Sequence, residues 1–304
     1  MLQAKASTGL VALLGCPVEH SLSPLMQNAA FAATGLDLVY LAFAVTPSGL
    51  PAALAGLKAL GLRGANITVP HKEAVIKYLD AIEPGAARIG AVNTIVNEGG
   101  RLTGYNTDAS GFLRSLQEAG FDPADKKAVI LGAGGAARAV AFALAGSGCT
   151  GLTIANRTLE RAGHLAAALA GLSLPVKACA LEEEELRPRI EEADLVVNAT
   201  SAGMAPVVGA VPLPAAWLNA GQWVYDLVYN PLETRFLREA RQRGCQVISG
   251  LGMLLYQGAA AFTLWTGKPA PVEVMEEALR EAIQVTTVEP QREPVSLEGR
   301  VSEP

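Results

Sequence analysis

The run Lys127-Ala128-Val129-Ile130-Leu131-Gly132-Ala133-Gly134-Gly135-Ala136-Ala137, followed by Leu152-Thr153-Ile154-Ala155-Asn156-Arg157-Thr158 and then Arg161, decides the fold. Its apolar start reads as a buried strand. The G-x-G-x-x-A turn after it lets backbone N–H groups approach a pyrophosphate at the N-terminus of the next helix. Leu152 to Ala155 reads as the second strand of the same unit. Units of this kind that take NAD place Asp or Glu about 20 residues on, against the ribose 2′-hydroxyl. Asn156 and Arg157 stand there instead. A carboxylate would repel a 2′-phosphate, whereas the guanidinium groups of Arg157 and Arg161 can pair with one bidentately and Thr158 adds a hydroxyl donor. The stretch therefore reads as a Rossmann-like unit for NADP(H), not NAD(H). Gly132, Ala133, Gly134, Gly135 and Ala136 form its turn, and Asn156, Arg157, Thr158 and Arg161 its 2′-phosphate end. The bland alternative is a glycine turn that caps an ordinary helix, with the arginines on a solvated face; this context disfavours it.

Around this unit the chain has room for a second domain. It runs to 304 residues and is 50% hydrophobic, enough for two cores. A net charge of -5 with scattered basic residues offers no electrostatic footprint for nucleic acid or an anionic membrane. Cys16, Cys149, Cys179 and Cys245 have no C-x-x-C spacing, and His20, His71 and His164 form no paired ligand motif. Neither a structural metal nor a disulfide framework is expected. Lys5 followed by Gly9–Cys16 superficially resembles a signal segment ending at a lipidated cysteine. The run is short for a signal core and carries one positive charge before it, and it reads equally well as a first strand ending at Gly15-Cys16-Pro17. Gln257 breaks the longest candidate for a membrane span, so a soluble cytoplasmic protein is expected.

Upstream, strand-like and helix-like segments alternate: Leu10–Leu14 with Pro24–Thr34, Val39–Ala44 with Gly49–Leu60, Gly64–Val69 with Pro70–Leu79. That rhythm predicts a second α/β domain on a largely parallel sheet. Asn93–Val96 and Leu102–Tyr105 read as a hairpin closing it, and a helix from Asp108 to Gly120 leads into the dinucleotide unit. Strands at Leu195–Ala199, Trp223–Leu227 and Gln246–Ile248 extend the second sheet, and Glu182–Glu185 reads as a solvated helix face. Apolar helices at Gly252–Trp265 and Pro271–Ile283 are expected to return to the first domain. The domains expected are 1–107 completed by 250–285, 108–249, and a disordered polar tail over 286–304.

Three N-terminal motifs remain: His20-Ser21-Leu22-Ser23-Pro24, Asn66-Ile67-Thr68-Val69-Pro70-His71-Lys72-Glu73, and Gly90-Ala91-Val92-Asn93-Thr94 running on to Asn106-Thr107-Asp108. With Asn198–Met204, Tyr225–Pro231 and Gly250–Gln257 in the same order, the chain closely resembles the shikimate dehydrogenase family over roughly residues 8–284. The resemblance implies NADP-linked, reversible reduction of 3-dehydroshikimate to shikimate in aromatic amino-acid biosynthesis. It implies a substrate domain, a cofactor domain and a cleft between them.

The chemistry fits residue by residue. Hydride delivery to a ketone creates an alkoxide that must receive a proton, so an acid is needed within reach of that oxygen. Lys72 and Asp108 fit that need; Pro70 suits a first helical turn, which would put Lys72 at a helix's positive end. Taken singly, Lys72 could be a solvated first-turn residue and Asp108 an N-cap; the family match joins them. Pro24 makes Ser23 a natural N-cap, and the resemblance adds that Ser21 and Ser23 face the substrate carboxylate. It also implies that Asn66, Thr68 and Asn93 meet ring hydroxyls. Gln257 lies one turn after Met253 on an apolar helix, and a buried glutamine needs partners such as a polyhydroxylated ring supplies. By resemblance Met253 lines the nicotinamide pocket, Leu227 and Gly250 lie beside the cofactor, and Tyr229 reaches substrate. His71 is expected to be partly exposed and without a catalytic task. The expected partner is a small molecule, not nucleic acid or membrane, with a homodimer left open. Two rival readings stand: a quinate/shikimate dehydrogenase, and a non-catalytic dinucleotide-sensing module that borrows the fold.

Overall fold

The apolar run Val11 to Leu14 is buried, and it forms an inner strand of a sheet. The structure, a computed structural model, describes residues 5–172 and 174–288. The first half contains β1 (Gly9–Gly15), α1 (Ser23–Ala33), β2 (Leu38–Ala44), α2 (Leu50–Ala59), β3 (Gly64–Ile67), β4 (Ala81–Ile82), α3 (Pro84–Ile89), β5 (Thr94–Glu98) and β6 (Arg101–Tyr105). Then follow α4 (Asp108–Glu118), β7 (Lys127–Leu131), α5 (Gly135–Gly146), β8 (Gly151–Ala155), α6 (Leu159–Ala168), β9 (Val176–Cys179), α7 (Glu183–Glu191), β10 (Leu195–Asn198), β11 (Trp223–Asp226), α8 (Arg235–Gln242) and β12 (Gln246–Ser249). Helices α9 (Leu251–Thr266) and α10 (Val272–Val288) close the described chain.

The first sheet runs β2-β1-β3-β5-β6-β4. It is largely parallel, as expected, with β5 alone running against the other strands, because the β5–β6 hairpin, turning on Gly99 and Gly100 at positive φ, doubles back between β3 and β4. The second sheet runs β12-β11-β10-β7-β8-β9 and is parallel throughout. Its order reverses between β7 and β10, the place where such sheets open a ligand crevice at their carboxyl ends. Register makes that crevice a straight rim. Ala155, Leu131, Asn198, Asp226 and Ser249 are aligned across five strands. One residue further on, Asn156, Gly132, Ala199, Leu227 and Gly250 therefore stand side by side.

The returning helices complete the first core. Phe262 stacks on Phe31 at 5.6 Å, Trp265 lies against Tyr40, and the Trp265 indole N–H donates to the Ile95 carbonyl at 2.9 Å. Helices α4 and α9, the two links between the halves, cross in close contact. A Cβ on Gly111 would lie 2.6 Å from the Gln257 backbone nitrogen, and one on Gly252 would strike the Ser115 hydroxyl.

Four local expectations change. No α-helix follows Pro70: its peptide with Val69 is cis, a turn holds His71 N–H on the Thr68 carbonyl at 2.9 Å, and only a 3₁₀ turn forms, over Ala74–Tyr78. Leu22, not Ser23, occupies the N-cap position of α1, and Ser23 is its first helical residue. His71 is buried, its Nε2 lying 2.6 Å from the Val45 carbonyl, a tie from a distant loop that no local pattern announces. Helix α10 continues through Val288, into the stretch expected as a tail from 286, and the rest of that stretch lies outside the described residues.

Candidate active site

Asp108 is the first residue of α4, where unpaired backbone N–H groups favour a negative side chain. Lys72 reaches it from the β3–β4 connection. Its Nζ donates to Asp108 Oδ2 at 2.6 Å, with the two side chains only 14% and 5% exposed. The other carboxylate oxygen accepts from Asn93 Nδ2 at 2.9 Å. Asn93 is the hub of the site. The same amide nitrogen lies 2.8 Å from Thr107 Oγ1 and 3.2 Å from Gln257 Oε1, while Asn93 Oδ1 accepts from the Thr107 backbone N–H at 2.7 Å. Gln257 Nε2 donates to the Leu254 carbonyl, which fixes the amide's orientation.

From this hub a polar chain runs to the N-terminus of α1. Asn66 Nδ2 donates to the Asn93 carbonyl and to Thr94 Oγ1, both at 3.0 Å, and Asn66 Oδ1 accepts from the Tyr40 hydroxyl at 2.8 Å. Burial pushes the Tyr40 phenol up, and hydrogen bonding with Ser23 offsets part of this. Burial likewise pushes up Tyr229, offset by Ser21. Thus Ser21, Ser23, Asn66, Asn93, Asp108, Lys72, Tyr229 and Gln257 are joined through shared partners, and Thr68 follows β3 directly. Tyr40, Thr94 and Thr107 belong to the same network. Sequence reading passed over all three, although Thr94 and Thr107 lie inside the motifs it singled out.

Across the cleft stands the glycine turn. Gly132 has φ +110°, and a Cβ there would lie 3.0 Å from the Ala199 carbonyl, so the turn can be this tight only without a side chain. Gly134 caps α5 with no side-chain acceptor on the helix N–H groups, and a Cβ on it would meet nothing within 4 Å. Free donors facing open space suit a pyrophosphate. Ala133 and Ala136 flank this opening in sequence. At the end of β8, Asn156 Nδ2 donates to the Thr158 carbonyl and shapes the loop, while Arg157 and Arg161 are exposed and, among the described residues, pair with no carboxylate. At the other end of the rim a Cβ on Gly250 would strike the Leu227 carbonyl, and Met253 is buried beside Tyr225. The donor set fits a dinucleotide that carries a 2′-phosphate.

Asp226 shapes the Leu227–Gly250 end of that rim. Its fully buried carboxylate is held by uncharged donors: Asn198 Nδ2 at 2.8 Å and Val228 N–H at 3.0 Å on Oδ1, and Thr234 Oγ1 at 2.7 Å on Oδ2. Burial raises its pKa above the ordinary carboxylate value, and the three donors recover only part of the shift. Folding therefore favours its protonated form. The stability this group contributes is present below the ordinary carboxylate pKa and is lost as pH rises through the higher folded value. Asp226→Asn removes that slope. In denaturant titrations from acid to neutral pH, the variant's unfolding free energy should gain on wild type as pH rises through this window; a constant or falling difference would contradict the assignment.

The chain is similar to known proteins over most of its length. The substrate-binding-domain model of shikimate dehydrogenase matches residues 13–95, the shikimate/quinate 5-dehydrogenase model residues 115–210, and the shikimate 5′-dehydrogenase C-terminal-domain model residues 250–280. The NADP(+) shikimate dehydrogenase of Moorella thermoacetica is 72% identical over 284 residues, 93% of this chain and 96% of that protein. The chain belongs to the shikimate dehydrogenase family.

Solved shikimate dehydrogenases share its fold. The Thermus thermophilus protein, in complex with NADP(H) and shikimate, superposes with a TM-score of 0.81 at 45% identity, covering 90% of this chain and 99% of that one. Another, in complex with NADP+, gives 0.85 at 45% identity and covers 92% and 98%. Among the described residues no helix is long and apolar enough to cross a membrane, and no cluster of three or more His, Cys, Asp or Glu could hold a metal.

Proposed function

We propose that this chain interconverts 3-dehydroshikimate and shikimate with NADP(H), as the aromatic amino-acid pathway requires, and that Lys72 and Asp108 carry its acid–base chemistry. The observation that carries this reading is the Lys72–Asp108 pair, held at 2.6 Å opposite a phosphate-ready glycine turn. NADP(H), when bound, supplies or accepts the hydride. In reduction, the Lys72 ammonium is the group that gives its proton to the substrate's developing alkoxide; in oxidation it takes the proton back from the hydroxyl. Asp108 keeps the lysine aimed and balances its charge in a cleft where both side chains are largely buried. Ser21 and Ser23 are assigned to the substrate carboxylate, and Asn66, Thr68, Asn93, Tyr229 and Gln257 to ring hydroxyls. Gln257 retains one amide proton for such a contact, since the described structure uses only one. The cofactor lies on Gly132–Ala136, Asn156, Arg157, Thr158 and Arg161, with Leu227, Gly250 and Met253 at the nicotinamide. The division follows: residues 1–107 with 250–285 bind substrate and 108–249 bind cofactor, in a cytoplasmic enzyme whose assigned residues all come from one chain.

Initial rates of NADP+ reduction with shikimate, and with quinate alongside, test this. Shikimate should be turned over, and NAD+ should replace NADP+ poorly. Absence of shikimate-dependent NADPH formation would reject the activity, and equal turnover of quinate would reassign the substrate class.

A further inference from the structure

We propose that Arg138 is a positioning residue for this reaction, clamping the first turn of the cofactor helix α5 onto the substrate side of the cleft and thereby fixing Lys72. A guanidinium in the first turn of a helix sits at its positive end, where cations are unfavourable, so its presence calls for a compensating partner. Among the described residues it has no carboxylate. Instead, Arg138 Nε donates to the Ile89 carbonyl at 2.7 Å, in the last turn of α3, the negative end of that helix. Room for this is built in: α3 ends on Gly90 in the left-handed region, and a Cβ there would lie 2.7 Å from Arg138 Nη2. Beside the contact, Ala139 of α5 packs with Ile89 and Ala91.

One turn earlier, and on the same face of α5, Gly135 meets the catalytic lysine itself. A Cβ on Gly135 would lie 2.9 Å from Lys72 Cβ and 3.2 Å from its Cδ, so the aliphatic stem of Lys72 rests on the glycine. The two contacts are joined by a short rail of substrate-domain backbone. The Ile89 carbonyl is held by Arg138, the Ala91 carbonyl by Asn106 Nδ2 at 2.9 Å, and the Val92 N–H donates to the Lys72 carbonyl at 2.8 Å. Asn93, next along, binds Asp108. Moving Arg138 therefore moves the strip of chain that sets both members of the ion pair, although Arg138 touches neither.

This inference rests on the proposed roles of Lys72 and Asp108, so its test has one readout that needs turnover and one that does not. In Arg138→Ala, kcat at saturating shikimate and NADP+ should fall by about tenfold to 10²-fold, the scale of a small misplacement of a catalytic group. NADP+ affinity, from quenching of protein fluorescence, should change less than about threefold. Arg138→Lys, which can still reach one carbonyl, should recover part of kcat. Independently of any substrate, the backbone amides of residues 90–93 should exchange with deuterium at least about tenfold faster in Arg138→Ala with NADP+ bound, while amides in β7 and β10 keep their wild-type rates. Unchanged exchange at 90–93 overturns the clamp whatever the activity. Faster exchange there with native kcat overturns its role in positioning Lys72, and loss confined to NADP+ affinity makes Arg138 a cofactor ligand instead. Wild-type protein inactive toward shikimate would reject the assigned reaction, and the exchange readout would still decide the clamp.

Discussion

Replacing Lys72 with alanine should lower kcat by about 10²–10⁴-fold, the range that positioned acid–base help supplies, with a modest change in KM. The reason is geometric. Lys72 is the one ammonium hydrogen-bonded to the carboxylate at the head of α4, and its stem lies on the first glycine of α5, between the assigned substrate and cofactor sites. Removing one partner of a buried ion pair normally destabilises a protein strongly. Here the penalty is reduced, because Lys72 keeps some exposure in the cleft, so water can reach the space it leaves. Asp108 also retains the Asn93 amide and its place at the positive end of α4. Lys72→Met, which keeps a stem on Gly135 without the charge, separates chemistry from packing. Both variants should bind NADPH and unfold cooperatively while turning over slowly. Near-native kcat in Lys72→Met would show that another group or a bound water carries the proton.

The second large effect concerns the far end of the cofactor. Arg157 follows β8 and Arg161 lies in the first turn of α6; both are exposed, and neither is occupied by a carboxylate among the described residues. Two charge-assisted contacts to a 2′-phosphate translate into roughly two to four powers of ten in affinity. Exposure and ionic screening favour the lower end. Changing both to alanine should weaken NADP(H) by that amount and leave NAD(H), which lacks the phosphate, nearly unaffected. The loss should shrink as salt is raised. Calorimetric titration of both cofactors against wild type and the double variant decides it. Parallel losses would mean that the arginines support the fold; no loss for either would place the phosphate elsewhere.

What could be read from the chain depended on how local its cause was. The glycine turn, the strand before it and the Asn156-Arg157-Thr158 loop are defined within a few residues, and the structure puts them on one rim. The alternating pattern also located most strands and helices. The two-residue β4 and the edge strand β9 went unread, because a short or half-exposed strand carries too little periodicity to register. Pro70 misled for a definite reason. The preference for proline at a helix start presupposes helical residues after it, whereas here a cis peptide and a turn lead into a 3₁₀ segment, so Lys72 owes its place to Val92 and Gly135 rather than to a helix end. Tyr40, His71, Arg138 and Asp226 acquire their roles from partners 26 to 49 positions away, contacts that no window along the sequence contains.

The closing of the first core by the last helices has a consequence for how the chain is made. Val11, Met26, Phe31 and Tyr40 share one apolar cluster with Leu254, Phe262, Trp265, Met275 and Leu279. At the usual ~5–20 residues per second of synthesis, the earliest of these side chains leave the ribosome roughly 13 to 54 seconds before the latest. The amino-terminal half emerges first yet cannot seal its interior until translation is nearly over. The strands of the middle sheet, all lying between Lys127 and Ser249, meet no such wait. Vectorial order and spatial order are thus inverted: the portion born first is finished last, and its unsealed sheet is the surface a nascent-chain chaperone would find.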